Sequence, residues 1–221
     1  MFNHVNPPEL QELETETKDG KRFYVTPSGK KYPSVTTVSS FASVKSIMEW
    51  RKRVGAEKAN KISTQAAVRG TAVHKLCEDY INNVEDYTKK HMPVNIQAFN
   101  SIKPILDDNI DNVVMQECPL FSDYLEVGGR VDCIADWDGK LSVIDFKTSR
   151  KIKKKEWVKG YMMQESAYCV MFEERTKIPI RQIVTVITVD NEEPQIFIED
   201  RDNFIWDFID VRKQFRDYHG V

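Results

Sequence analysis

One segment constrains the fold of this chain more than any other: the alternating apolar and polar run that covers residues 124–148. It is interrupted once, by Asp138-Gly139. Between two alternating runs, this dipeptide favours the two-residue turn of a β-hairpin. The turn pairs Trp137 with Lys140, and this pairing sets the register of every residue further along the hairpin.

Two carboxylates face each other in this register, because counting outward from the turn places Asp132 opposite Asp145. Directly opposed residues have Cβ atoms about 4.5–5.5 Å apart, and carboxylates that close repel each other. A divalent cation between them would remove the repulsion, and oxygen ligands suit Mg²⁺ or Mn²⁺. Lys147 shares the face of Asp145, whereas Phe146 points into the core. The alternatives are an exposed face with ordinary surface charges, or a bulge at Gly128-Gly129 that changes neighbouring pairs.

Composition is that of a soluble globular protein: 221 residues, of which 41% are hydrophobic and 30% charged, with a net charge of −2. No apolar run approaches the roughly 20 residues of a membrane span. Residues 1–20 are polar and acidic, unlike a signal peptide, and we expect them to be flexible. The sequence therefore favours a cytoplasmic setting, in a bacterial or phage-infected host cell, and a monomer as the default state.

Four scattered cysteines, none of them in a CxxC pair, argue against a structural zinc site, an iron–sulfur cluster and a disulfide framework. We expect them to be small buried hydrophobic residues.

Periodicity predicts one α/β domain over residues 1–221, with a central mixed β-sheet flanked by helices and a helical N-terminal half. The predicted helices cover 43–62, 63–83, 95–109, 156–177 and 203–219. The predicted strands form a hairpin within 21–38 and then cover 112–120, 124–137, 140–148, 181–190 and 194–200. Within the domain we expect a helical, arch-like part at 35–110, a catalytic core at 111–200 and a closing helix at 201–221.

Four motifs occur in a fixed order: RGTAVHKL at 69–76, GGRVDCIAD at 128–136, VIDFKTS at 143–149 and QESAY at 164–168. In order and context they resemble the PD-(D/E)XK nucleases, specifically the RecB-like branch. Together with YPSVTTV at 32–38, they resemble the mitochondrial genome maintenance exonucleases and related phage-type exonucleases. The resemblance covers roughly residues 30 to 190 and implies a restriction-endonuclease-like core.

The resemblance also implies a set of site residues. Asp132, Asp145 and Lys147 are the implied catalytic residues. The implied metal ligands are Asp132, Asp145, His74 and the backbone carbonyl of Phe146. Residues implied to support the site or contact substrate are Glu117, Gln164, Tyr168, Thr148 and Ser149. No iron–sulfur cluster is implied, because the cysteine set that holds one in some relatives is missing.

Several of these residues have a plainer interpretation. His74 lies beside the apolar stripe of its helix and, without its motif, would be a core histidine. Glu78, one turn further on, either orients His74 or is simply solvated. Gln164 and Tyr168, four residues apart on a helix, would otherwise form a polar helix edge.

A basic run follows the DFKTS motif, with six basic residues between Arg150 and Lys159 against one acid, Glu156. We expect it to track the phosphates of DNA, chiefly through Lys151, Lys153, Lys154 and Lys155, although such runs are usually only solvated loops.

The predicted function is divalent-metal-dependent hydrolysis of DNA by an exonuclease, on single-stranded ends, in replication, recombination or repair. The alternatives are an endonuclease or double-strand exonuclease of the same fold, or a non-catalytic nucleic-acid-binding module. A structural protein with an accidental Asp-x-Lys spacing is disfavoured by the four ordered motifs.

Overall fold

The structure, a computed structural model, describes residues 1–220 and contains an α/β arrangement of strands and helices. The strands are β1 (Glu14–Lys18), β2 (Lys21–Val25), β3 (Lys31–Pro33), β4 (Ile110–Ser122), β5 (Val127–Trp137), β6 (Lys140–Ser149), β7 (Gln182–Val189) and β8 (Gln195–Asp200). The helices are α1 (Val35–Phe41), α2 (Val44–Val54), α3 (Ala56–Ile81), α4 (Pro93–Asn109), α5 (Lys155–Thr176) and α6 (Ile205–His219).

The central sheet has five strands in the order β4-β5-β6-β7-β8. Its first three strands are antiparallel neighbours. β6 and β7 run parallel, which requires a crossover, and α5 supplies it. β8 then returns antiparallel to β7. The predicted mixed sheet is therefore confirmed. The hairpin predicted within 21–38 consists of β2 and β3, and β1 extends it to a separate three-stranded sheet.

The predicted hairpin register is correct. Trp137 pairs with Lys140, and the ladder continues as far as Cys133 and Ile144. The ladder ends there, one position before Asp132 and Asp145 would pair. There the side chain of Asp132 turns to the backbone of β6, where its Oδ2 accepts the N–H of Phe146 at 3.1 Å.

Helices cover both faces of the central sheet, so each face buries its own hydrophobic core. One core is formed by α1, α5, α6 and sheet residues such as Val143 and Ile134. The other is formed by α3, α4 and sheet residues such as Ile144 and Phe146. Neighbouring positions of β6 therefore point into opposite cores, as strand alternation requires. All four cysteines are buried in these cores.

The prediction of separate helices at 43–62 and 63–83 was wrong. The break lies at Gly55, which has φ of +85°, and α3 then runs unbroken from Ala56 to Ile81. Glycine adopts this backbone conformation without the steric cost of a Cβ atom. Ser63 and Thr64, which resemble a helix start in the sequence, lie inside α3.

The suggestion of a bulge at Gly128-Gly129 was also wrong. Both glycines pair regularly, with Phe121 and Leu120 of β4. Their role is close packing. A Cβ atom on Gly128 would lie 2.5 Å from Cβ of Tyr24, and one on Gly129 would lie 2.6 Å from the ring of Tyr168.

Residues 1–20, expected to be flexible, contain β1 and make defined contacts at the very start of the chain. The N–H of Phe2 donates to Asn83 Oδ1 at 2.8 Å, and the N–H of Val5 donates to the carbonyl of Val113 at 3.0 Å.

Among residues 1–220, none of the helices combines the length and the hydrophobicity that crossing a membrane would need.

Candidate active site

Three elements each bring one metal-ligating side chain to the same point. His74 comes from α3, Glu117 from β4 and Asp132 from β5, and their ligand atoms all lie within 4.8 Å of one another. His74 Nδ1 is 3.2 Å from Asp132 Oδ2. The sequence placed His74 and Asp132 together as ligands but gave Glu117 only a supporting role.

The backbone at Glu117 departs from regular strand geometry. Its φ is +47°, which is uncommon for a residue with a side chain. Strand pairing is regular on both sides of it, so Glu117 lies opposite Asp132 in the β4–β5 register. Burial raises the pKa of Glu117, and the negative charges of Asp132 and Glu78 raise it further. A backbone conformation with positive φ, like that of Glu117, costs about 1–3 kcal/mol of folding free energy, and such conformations cluster at functional sites.

Asp145 and Lys147 form the second part of the site, on one face of β6. The Asp145 carboxylate is almost fully buried and forms an ion pair with the Lys147 ammonium. Burial raises the pKa of Asp145 to about 6, although the positive charge of Lys147 opposes this rise. Burial alone would lower the pKa of Lys147, but the attraction of Asp145 and Asp132 outweighs it and raises the pKa. Lys147 is therefore a permanently charged group. It lies beside the group of His74, Glu117 and Asp132, which is called the acidic cluster below.

The two parts of the site meet at Asp132. Its Oδ2 contacts both His74 Nδ1 and the N–H of Phe146, the residue between Asp145 and Lys147. Asp145 itself lies outside the group of three ligand atoms. Its role as a metal ligand, and that of the Phe146 carbonyl, therefore stay predictions.

α5 supports the site from the opposite side of the sheet. Gln164 is buried and donates from Nε2 to Asp145 Oδ1 at 3.2 Å. Tyr168 is buried against Gly129 and lines a cavity of about 620 Å³ that also contains His74, Glu117 and Asp132. The helical spacing of Gln164 and Tyr168 thus places both side chains at the site, and neither lies on an exposed helix edge.

Glu165 is a buried acid that the sequence patterns did not identify. Glu165 is fully buried, and Thr185 donates a hydrogen bond to its Oε1. Burial raises the pKa of Glu165 well above its ordinary value, and the negative charge of Asp145 adds to the effect. Its position directly after Gln164 in the QESAY motif was the available signal, but a charged residue type suggests exposure.

Glu78 pairs with Lys75, with Oε1 and Nζ 3.0 Å apart. His74 Nδ1 turns to Asp132 instead. The structure therefore does not support a role for Glu78 in orienting His74, because Glu78 pairs with Lys75 on the surface of its own helix. Its negative charge still raises the pKa of Glu117.

The basic run forms a loop whose backbone is held by hydrogen bonds, and then the first residues of α5. Gln195 fixes Lys153 by accepting its N–H at 2.7 Å and donating to its carbonyl at 2.9 Å. Lys151 and Lys154 are exposed, whereas Lys155 forms an ion pair with Glu199. Thr148 and Ser149 line a second cavity, of about 730 Å³, on the other side of α3 from His74. The four predicted DNA-binding lysines are therefore not equivalent.

Comparison with protein families decides the class of the site. The model of the PD-(D/E)XK nuclease superfamily matches residues 86–204, more than half of the chain. The chain belongs to the PD-(D/E)XK nuclease superfamily. The matched region includes Asp132, Asp145, Lys147 and Gln164, so the superfamily and the nuclease class predicted from the motifs are confirmed.

Curated relatives are mammalian. The chain is similar to mitochondrial genome maintenance exonuclease 1 of Mus musculus, with 30% identity over 108 residues, or 47% of this chain and 32% of that protein. Against the protein of the same name from Homo sapiens, identity is 29% over 132 residues, or 55% of this chain and 38% of that protein. The matches thus span only about a third of the relatives' length.

Two solved structures are similar at low identity. A protein from Eubacterium rectale assigned as an exonuclease gives a TM-score of 0.47 and 12% identity, covering 66% of this chain and 64% of that one. The structure of SSO0001 gives a TM-score of 0.41 and 14% identity, covering 83% of this chain and 75% of that one.

PD-(D/E)XK nucleases use divalent metals, and the residues present here fit such an ion. One imidazole and two carboxylates converge within 4.8 Å. Carboxylates are the ligands preferred by Mg²⁺ and Mn²⁺, and imidazole is a common ligand of transition metals. Burial raises the pKa of Glu117, and the negative charges of Asp132 and Glu78 add to the rise, whereas His74 and Arg130 oppose it.

Proposed function

We propose that this nuclease is a divalent-metal-dependent exonuclease that hydrolyses phosphodiester bonds at single-stranded DNA ends, in replication, recombination or repair. The observation that carries the proposal is the junction at Asp132. A His74–Glu117–Asp132 cluster and a buried Asp145–Lys147 pair meet there. Mitochondrial genome maintenance exonuclease 1, to which the chain is similar, supports the exonuclease assignment.

His74, Glu117 and Asp132 would hold the ion, Mg²⁺ or Mn²⁺, with Asp145 as the further predicted ligand. When bound, such an ion polarises the scissile phosphate and lowers the pKa of a water molecule. The Lys147 ammonium offsets negative charge that develops on the phosphate. Gln164 holds Asp145, and the N–H of Phe146 holds Asp132, so neither carboxylate has to reorganise during the reaction.

The path of the strand follows from the two cavities on either side of α3. Gly70 and His74 face the cavity of about 620 Å³, and Gln65 and Arg69 face the cavity of about 730 Å³. A single strand that joined the two cavities would pass the acidic cluster, which borders the first, and Tyr161, which borders the second and lies 5.2 Å from the Lys147 ammonium.

The test is cleavage of 5′-labelled and 3′-labelled DNA in single-stranded, duplex and circular forms, with Mg²⁺, Mn²⁺ or EDTA. We expect linear single strands to be degraded from an end with either metal, and EDTA to stop the reaction. Asp132→Asn should remove the activity. Asp136→Asn, on the same strand but hydrogen-bonded to Asn112, is the matched control and should keep it.

Cleavage of circular single strands would make the protein an endonuclease. Preference for duplex ends would make it a double-strand exonuclease. DNA binding without cleavage under any metal condition would make it a binding module.

A further inference from the structure

The cavity of about 730 Å³ lies next to the site but contains none of the acidic cluster. One wall is the outer part of α3, with Gln65 and Arg69. The other is the loop after β6 and the first turns of α5. Arg150 crosses between the walls and donates to Gln65 Oε1 at 2.9 Å.

Trp157 stands at the edge of this cavity with 63% of its surface exposed. It occupies the first turn of α5. The Lys154 ammonium lies 5.6 Å from the centre of its ring. Trp137, in contrast, is buried in the core with 1% exposed. An indole left open beside a cavity and bordered by cations has the two chemical features of a single-strand site: a π-face for a base and positive charge for the phosphates.

The cavity is connected to the reaction centre through Tyr161. Tyr161 lies one helical turn after Trp157 and lines the same cavity. Its ring centre is 5.2 Å from the Lys147 ammonium, which pairs with Asp145. Four residues of helix rise about 6 Å. With the further 5.2 Å from Tyr161 to Lys147, the route from Trp157 to the reaction centre is roughly 11 Å, which about three nucleotides span at about 3.4 Å each when stacked.

The loop beside Trp157 is held in place before any substrate binds. Ser149 Oγ donates to the carbonyl of Lys151 at 2.6 Å, and Gln195 holds both backbone groups of Lys153. Lys151 and Lys154 can therefore meet phosphates from a fixed backbone, which reduces the entropy lost on binding.

We propose that Trp157 forms a base-stacking subsite, in which its indole packs on a nucleobase of the single-stranded DNA within about three nucleotides of the scissile phosphate. The phosphates on either side of that base meet Lys151 and Lys154. The inference rests on the proposed function and adds Trp157 as the residue that stacks on a base.

The experiment compares Trp157→Ala and Trp157→Phe with Trp206→Ala. Trp206 is a matched control, because it is 68% exposed on α6 and does not line the cavity. Affinity for oligodeoxythymidine is measured in Ca²⁺, and KM and kcat in Mg²⁺. Base–aromatic stacking is worth about 1–3 kcal/mol per base, so Trp157→Ala should weaken binding by about 5- to 150-fold. Trp157→Phe should recover much of the loss, and Trp206→Ala should bind like wild type.

A second arm moves one abasic nucleotide along the oligonucleotide. At one position, within about three nucleotides of the cleaved bond, the wild type should lose affinity, while Trp157→Ala should lose little more. This non-additivity identifies the base as the partner of the indole. Quenching of tryptophan fluorescence by the intact oligonucleotide should be smaller in Trp157→Phe than in wild type.

Two outcomes would overturn the subsite: Trp157→Ala binding as tightly as Trp206→Ala, or an alanine penalty that is equal on intact and abasic DNA at every position. If wild type cleaves no DNA but these binding results hold, the proposed catalysis fails and the subsite stands. If wild type cleaves single strands and Trp157→Ala binds normally, the subsite alone fails. If wild type binds no single strand, both fail.

Discussion

Lys147 has a different electrostatic role from the exposed lysines that follow it, because it is largely buried and pairs with Asp145. Its charge is held beside the acidic cluster, where Asp145 and Asp132 raise its pKa. A charge fixed there can act on the transition state without adding much to the binding of a long DNA strand.

We therefore expect Lys147→Ala to bind single-stranded DNA and metal but to turn over on the order of 10²–10³ times more slowly, the usual effect of removing one preorganised charged group. Lys147→Arg should not restore the rate, because a guanidinium is bulkier and its donors form a fork. The measurement is single-turnover cleavage at saturating enzyme, with binding assayed separately in Ca²⁺. If affinity and rate fell in proportion, Lys147 would be a phosphate clamp.

Asp145→Asn should abolish cleavage without unfolding the protein. In the metal-free protein the pKa of Asp145 is raised from 3.8 to about 6, so the folded state holds this proton more tightly than the unfolded state. Stability from this group is present at low pH and is lost as the pH rises from about 4 to about 6. In EDTA the variant should therefore equal or exceed the wild type in stability at pH above about 7, and the difference should shrink towards pH 4.

Urea unfolding at several pH values measures this difference in stability, with Asp136→Asn on β5 as the matched control substitution. Near-wild-type cleavage by Asp145→Asn in Mg²⁺ would contradict its role in the site.

At the scale of the elements, β5 carries both the hairpin register and two close packing contacts. Gly128 and Gly129 lie in regular pairing with β4, and each leaves room for a tyrosine from another element. The two contacts differ. Gly128 meets Tyr24 at its Cβ atom, next to the β2 backbone, whereas Gly129 meets the far end of the Tyr168 ring.

Gly128→Ala should thus be the more destabilising change, by about 1–3 kcal/mol, because the backbone of β2 has to move. Gly129→Ala should lower cleavage more than stability, since the Tyr168 ring would shift within the site. Gly160→Ala on α5 is the control. Its Cβ would meet nothing within 4 Å, and alanine favours helix by up to about 1 kcal/mol. Thermal unfolding measures the stability of the three variants, and single-turnover rates measure their cleavage. Equal stability of all three variants would refute the packing argument.

The loop after β6 contributes charge unequally. Lys155 is paired with Glu199, whereas Lys151 and Lys154 are exposed and Lys153 is partly exposed. Neutralising Lys151, Lys153 and Lys154 together should weaken single-strand binding and make its salt dependence shallower, by about 0.7 in the log–log slope for each lost phosphate contact. Lys155→Gln, the matched control, should change the slope little. Binding titrations over a range of salt concentrations measure both slopes. An unchanged slope in the triple variant would mean that the loop is only solvated.

At the scale of the whole molecule, the start of the chain ties the helical part to the sheet. Phe2 packs edge-on against Tyr80 of α3, with ring centres 5.3 Å apart. His4 Nε2 donates to the carbonyl of Ile81 at 2.8 Å, and Val113 of β4 exchanges backbone hydrogen bonds with Asn3 and Val5.

We expect the amides of Val5 and Val113 to be protected in hydrogen exchange, because both N–H groups are hydrogen-bonded. Removing residues 1–5 should lower stability and speed exchange at the C-terminal end of α3. The internal comparison is provided by three exposed residues, Glu9, Gln11 and Glu12, whose amides should exchange faster. Fast exchange at both valine amides would support the flexible N-terminus that the sequence predicts.

Local patterns in the sequence determined the five strands of the central sheet. The alternation around Asp138-Gly139 determined the hairpin register, and through it the approach of Asp132 to Asp145, because strand pairing next to a tight turn depends only on neighbouring residues. Helical periodicity located α4, α5 and α6 to within about two residues. The motif order then indicated the superfamily.

Only the tertiary structure decided how the site is assembled. His74, Glu117 and Asp132 come from three elements, and no local period records that α3 and β4 meet at β5. The Lys147–Asp145 pair, the burial of Glu165 and the opening beside Trp157 depend in the same way on what packs around them. Burial and long-range contact set these charges and surfaces, and neither is a property of a residue and its sequence neighbours alone.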